Sequence, residues 1–173
     1  MGGSSDFREF IGMLDSPVLR SVAEHWDAVR GDRLMPSWSD LSTTSLSPHF
    51  SKLWGFQHQP EAEDFTGRLA GKNVLDWLGA NFWGGSIKTL YAPPVFEEAY
   101  QFLSKVVTVP AAGRSSGTLF TMGEKTVAGE RIALPLASDG VHGDAVLGAS
   151  DYEPMAVSGP VVLVHENVKW FTL

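Results

Sequence analysis

Apolar positions in the first thirty residues recur at helical spacing. Phe7, Phe10, Ile11 and Leu14 fall three and four residues apart, with Asp6 placed to cap and Glu9 three residues on. The five residues before them carry no pattern and are expected to fray. Asp15-Ser16-Pro17 then restarts the chain: Ser16 suits a cap, Pro17 a first helical position, and Gly31 a stop. Between them Val18, Val22, Trp26 and Val29 make one stripe, which predicts an amphipathic helix over 17–30. Such a stripe packs either on its own domain or against a second copy of the chain, and the spacing leaves both open.

The pattern then changes. Residues 32–50 are polar and broken by Pro36 and Pro48, so a loop with one helical turn near 44–49 is expected. Short apolar runs at 52–57 and 65–70 flank a polar turn and read as a hairpin. A short helix is predicted over 73–78, ending at Gly79. Residues 79–91 place Phe82 and Trp83 among Gly79, Gly84 and Gly85, a tight loop carrying large rings. Val95, Phe96, Ala99, Phe102, Leu103 and Val106 predict a helix over 94–106. Beyond Pro110 the pattern is that of sheet. Strands are expected at 118–122, at 126–137 with an interruption at Pro135, and at 144–150. A tail at 161–173, set off by Gly159-Pro160, adds a strand or packs as an arm. The order gives an α+β fold: a five-stranded antiparallel sheet, a helical insert on one face, an N-terminal helix and a C-terminal arm.

Composition narrows the chemistry. Of 173 residues, 43% are hydrophobic and 19% charged, so the chain has the material for a core. The formal net charge of -7 argues against general nucleic-acid or anionic-membrane binding. With no Cys there are no disulfides, thiolate metal sites or cysteine nucleophiles. No run reaches the length of a membrane span and no secretory pattern opens the chain, so a cytoplasmic location without membrane insertion is expected. Gly67 to Asn73 looks like a phosphate loop but is one residue short, with Asn where the hydroxyl should stand. His142 and Asp144 flank Gly143 and fit a solvated turn better than a metal site. No G-x-S-x-G elbow or other catalytic constellation occurs, so no enzyme is expected.

Three separated segments carry a family likeness. They are HWDAVRGDRLMPSWSDL at 25–41, RLAGKNVLDWLG at 68–79 followed by Gly84-Gly85, and GERIALPLASDG at 129–140. Together, in this order, they resemble a bacterial, mainly alphaproteobacterial, single-domain group of the PAS family. The likeness covers roughly 18–152. It implies a sensor or adaptor that holds a small molecule between sheet and helices, signals through an unknown partner protein, and forms a homodimer through its N-terminal helix. A purely structural interaction module with a filled core is the alternative. Three units are expected: an arm at 1–16, the domain at 17–152, and an arm or extra strand at 153–173.

The likeness also sharpens the cofactor question. A haem needs an axial ligand, and 73–106 contain no His; an adduct-forming flavin or thioester-linked chromophore needs a Cys. No cofactor is therefore expected. The candidate cavity is aromatic, drawn from Trp54, Phe56, Trp77, Phe82, Trp83, Phe102, Phe120 and Met122. Six of these eight fit plain core as readily as ligand contact. Trp83 is the leading contact because the glycines after it let the backbone turn. Arg68 or Glu130, charges on strands, would give the polar anchor, since a charge facing inward needs a partner.

Overall fold

The structure is a computed structural model that describes residues 3–154, 156 and 161–173. Met1, Gly2 and the break expected at Gly159-Pro160 lie outside the described residues. Two helices open the chain, α1 (Gly3–Gly12) and α2 (Pro17–Arg30). Ser16 caps α2 by accepting from the Leu19 N–H at 3.2 Å, and Gly31 ends it at a φ of 59°. After a 3₁₀ turn and the short α3 (Thr43–Leu46), strands β1 (Leu53–Gln59) and β2 (Asp64–Ala70) form the expected hairpin. The insert follows as α4 (Lys72–Leu78), α5 (Ile87–Leu90) and α6 (Pro93–Thr108). Three long strands, β3 (Ala111–Met122), β4 (Lys125–Leu136) and β5 (Ala145–Tyr152), complete the predicted set.

The sheet is wider than predicted. The tail supplies two strands, β6 (Val161–Leu163) and β7 (Lys169–Thr172), which pair side by side with opposite ends of β3. The order is β2-β1-β5-β4-β3-β6, with β7 also on β3 and every pairing antiparallel. β3 also begins seven residues before its predicted start. Its first half, AAGRSSG, is small and polar, with little strand propensity of its own. Ladders to β4 and β7 on its two sides hold it extended, an override of propensity by tertiary pairing. Pro135 does not interrupt β4, because the β3 ladder ends at Ala133, two residues earlier.

Helices cover both faces, and the residues of each strand divide accordingly. Leu53, Ala112, Ile132, Leu134 and Leu147 pack beneath α1 and α2. Trp54, Phe56, Ala133 and Val146 pack beneath the insert. Within the segment at 1–16, expected as an arm, Phe7, Phe10 and Leu14 join the first of these cores. All three are fully buried, with Phe7 4.8 Å from Trp26 and Phe10 6.2 Å from Phe171 between ring centres.

The buried face of α2 is Leu19, Val22, Ala23, Trp26 and Arg30, with Val18 and Val29 at its margins. Trp26 donates its indole N–H to the Pro135 carbonyl at 2.9 Å. Val22 and Trp26 are wholly covered within the chain, so this half of the stripe packs on the domain's own sheet, while Val18 and Val29 stay half-buried. The reason is sheet coverage: without α1 and α2, the face carrying Ile132, Leu134 and Leu147 would be bare.

Because α1 is core, truncating it has a core-sized cost. Phe10→Ala should lower the unfolding free energy by about 3–5 kcal/mol. Urea denaturation measures this; a loss below about 1 kcal/mol would mean that α1 packs only loosely.

Candidate functional site

The sheet face under the insert is not completely filled. A cavity of about 50 Å³ lies between β1, β4 and β5 on one side and α4 and α6 on the other. Its aromatic wall comes from Trp54, Phe56, Trp77, Phe82, Phe102 and Phe120. Strand alternation brings Trp54 and Phe56 to this face, and the rings meet at 5.8 Å between centres. Phe56 in turn contacts Phe82 at 5.1 Å, and Trp77 stacks on Phe120 at 5.5 Å with planes 19° apart. Val74, Leu78, Ala99 and Leu103 complete the helical side.

The polar groups on the cavity differ from those expected. Arg131 reaches it from β4, and His165 and Leu163 reach it from the tail. Tyr91, Tyr152, Ser150, Asn73 and Lys52 also line it. Several of these are spent on one another or on the backbone. Trp54 donates to Ser150 Oγ at 2.9 Å, and the Tyr152 hydroxyl donates to the Asn73 carbonyl at 3.2 Å. Lys52 is tied to Asp151 at 2.8 Å.

Arg131 is 4% exposed and donates to the carbonyls of Val164 and Leu119, each at 3.0 Å. No carboxylate among the described residues pairs with it. Burial lowers its pKa to about 10, so it keeps its charge at neutral pH. Burial also raises Tyr91 to about 12. It lowers His165 to about 3, with the charge of Arg131 adding to the effect. The His165 ring, neutral at pH 7, stacks on Phe102 at 4.3 Å. The buried indole N–H of Trp77 makes no hydrogen bond of good geometry, although it lies close enough to the Tyr152 hydroxyl to bear on its titration.

Six of the ten expected site residues therefore share one cavity. Met122 lies at a smaller recess of about 10 Å³, with Phe120 between the two. The remaining three lie elsewhere. Trp83, the favoured contact, is 49% exposed. Its backbone bridges Gly67 of β2, and the neighbour Phe82 takes the inward position. Gly67 permits this approach, since a Cβ there would lie 1.9 Å from the Phe82 carbonyl oxygen. Arg68 is exposed, 4.8 Å over the Trp38 ring and bonded to Gln57 at 2.9 Å.

Glu130 is buried, as an inward charge, but on the opposite face. There it takes the Arg114 guanidinium at 2.6 Å and the Asp15 and Ser16 N–H groups at 3.0 and 2.8 Å. This network fastens the start of α2 to the sheet. The charge on the cavity side is the next residue, Arg131. Arg131 was not among the expected site residues, although a lone cation in the otherwise apolar run RIALPL is a readable signal. His165 and Leu163 were missed because nothing in the pattern showed the tail folding back on β3.

A neutral buried His sets a pH dependence. The unfolded chain takes up its proton near the ordinary value of 6.5, while the folded chain resists down to about 3. Its contribution to stability is complete above 6.5 and declines as pH falls from there toward 3. His25 and His58, also lowered by burial, act in the same direction. Carboxylates whose pKa is lowered, such as Asp40 at about 2, add their loss only below the ordinary 3.8. The melting temperature should therefore fall between pH 7 and pH 5, and fall less steeply in His165→Phe. Equal slopes in the two proteins would contradict a buried, neutral His165.

A family model described as a PAS domain matches residues 14–150. No curated protein and no solved structure matches the chain. Leu163 and His165, which line the cavity from the tail, lie outside the matched residues.

Proposed function

The chain belongs to the PAS domain family, and from that premise we propose that it is a sensor or adaptor whose cavity binds a small, partly apolar molecule. Family membership carries a sensory or interaction role in general. The observation that supports ligand binding is the cavity itself: six Phe and Trp residues around open space, with polar groups converging on it. Native cores are close-packed, and voids of this kind are few in a domain.

The size of the cavity bounds the molecule. On a scale where one water takes roughly 10–15 Å³, about 50 Å³ suits a compact organic molecule rather than a haem or a flavin. Signalling then runs through contact with another protein. The tail is the element best placed to report occupancy. It contributes Leu163 and His165 to the wall and pairs with the outer edge of β3.

Native mass spectrometry of the protein purified from its cells tests this reading. The expected result is a bound small mass that is absent from Ala99→Leu, because Ala99 lines the cavity from α6 and a larger side chain fills it. A bare mass in the wild type, with Ala99→Leu more stable and otherwise unchanged, would favour the structural module with an unoccupied core.

A further inference from the structure

We propose that the ligand is a small organic monocarboxylate, held with its charged head against Arg131 and its apolar body among the rings of the cavity. This rests on the cavity being a ligand site and adds the chemical class. The primary observation is an uncompensated charge. Arg131 is 4% exposed and lines an aromatic cavity, yet among the described residues its only hydrogen bonds are to two neutral carbonyls. A buried guanidinium without a counter-charge is expensive, and natural cores rarely keep one.

The described carboxylates on neighbouring elements are engaged elsewhere: Glu166 on the tail accepts from the Thr118 N–H at 2.6 Å. Asp151 is held by Lys52 and Ser16, and Asp76 by Lys72 at the surface. Glu130, adjacent in sequence, is on the far face with Arg114. The missing negative charge is therefore left to the cavity's occupant.

Donor geometry points the same way. A guanidinium has five N–H donors, and two of those of Arg131 are spent on Val164 and Leu119. The remainder can meet a planar carboxylate. The Tyr91 hydroxyl, which makes no hydrogen bond to a described residue, and the buried Trp77 indole N–H line the same space and offer further donors. One positive charge matches one negative charge. A doubly charged phosphate would leave an excess in a site whose second cation, Lys52, is already neutralised. The walls beside the head are Phe, Trp and Leu side chains, which reward an apolar body.

Paired probes test the proposal. Isothermal titration with propionate and butyrate is set against the neutral isosteres propionamide and butyramide, in wild type and in Arg131→Met. A charged hydrogen bond of this type corresponds to a preference of about tenfold or more. The wild type should bind the acids at least that much more tightly than the amides, and Arg131→Met should lose the preference. Because Arg131 also ties Val164 and Leu119, Tyr91→Phe serves as a second variant; it should weaken the acids by about threefold or more and leave the amides nearly unchanged. Amides that bind the wild type as well as the acids do would overturn the carboxylate assignment while leaving the cavity as a ligand site. An acid preference that persists undiminished in Arg131→Met and Tyr91→Phe would also overturn it. If none of the four probes binds and the purified protein carries no small mass, the ligand-site reading falls with it.

Discussion

Two opposite charges stand next to one another in β4, and the period of a strand sends them to opposite faces of the sheet. Glu130 meets the junction of α1 and α2, where Arg114 and two backbone N–H groups neutralise and orient it. Arg131 meets the cavity, where no carboxylate among the described residues answers it. A shift of one residue in register would reverse both and put an acid among the rings. The pairing of β4 with β3 and β5, which fixes that register over eight residues of β5, is thus a condition for the rest of the account. On one face it secures the N-terminal helices to the sheet. On the other it leaves one positive charge inside an apolar wall.

The tail is joined to the same arrangement. Arg131 donates to the Val164 carbonyl between the two cavity-lining residues Leu163 and His165, while β6 and β7 on either side of that stretch hydrogen-bond along β3. Trp170 on β7 packs on Phe102, 5.0 Å between ring centres, and Lys105 lies 4.4 Å over its ring. Part of the cavity wall thus comes from residues outside the matched family segment of 14–150. A ligand that draws on the remaining donors of Arg131 acts beside the bond that holds the tail, which gives occupancy a physical route to the surface of the domain.

Much of this fold was legible in periodicity. The helices α2 and α6, the β1–β2 hairpin and the strands β4 and β5 each carry a pattern that local rules can read. What was not legible depended on partners distant in sequence. The first half of β3 is strand because β4 and β7 flank it, and the two tail strands exist because β3 has a free edge. The six Phe and Trp residues of the cavity were readable because large rings on a strand face and on a facing helical insert have few other places to go. The charge on the cavity was legible only in part: RIALPL marks Arg131 as an unusual cation, but that it, and not Arg68 or Glu130, faces the rings depends on which strand face each occupies. Trp83 shows the limit of arguing from flanking glycines: they freed the backbone to turn, and the turn placed Phe82 inward instead.

The central claim is that a lone guanidinium inside an aromatic cavity awaits an anionic partner from outside the chain. A crystal structure of the protein as purified, at a resolution that shows ordered small molecules, addresses it most directly. The account predicts density for a compact anion touching Arg131, with the six rings around it and the tail in place. A carboxylate of the chain itself paired with Arg131, or a cavity closed by repacked side chains, would contradict it.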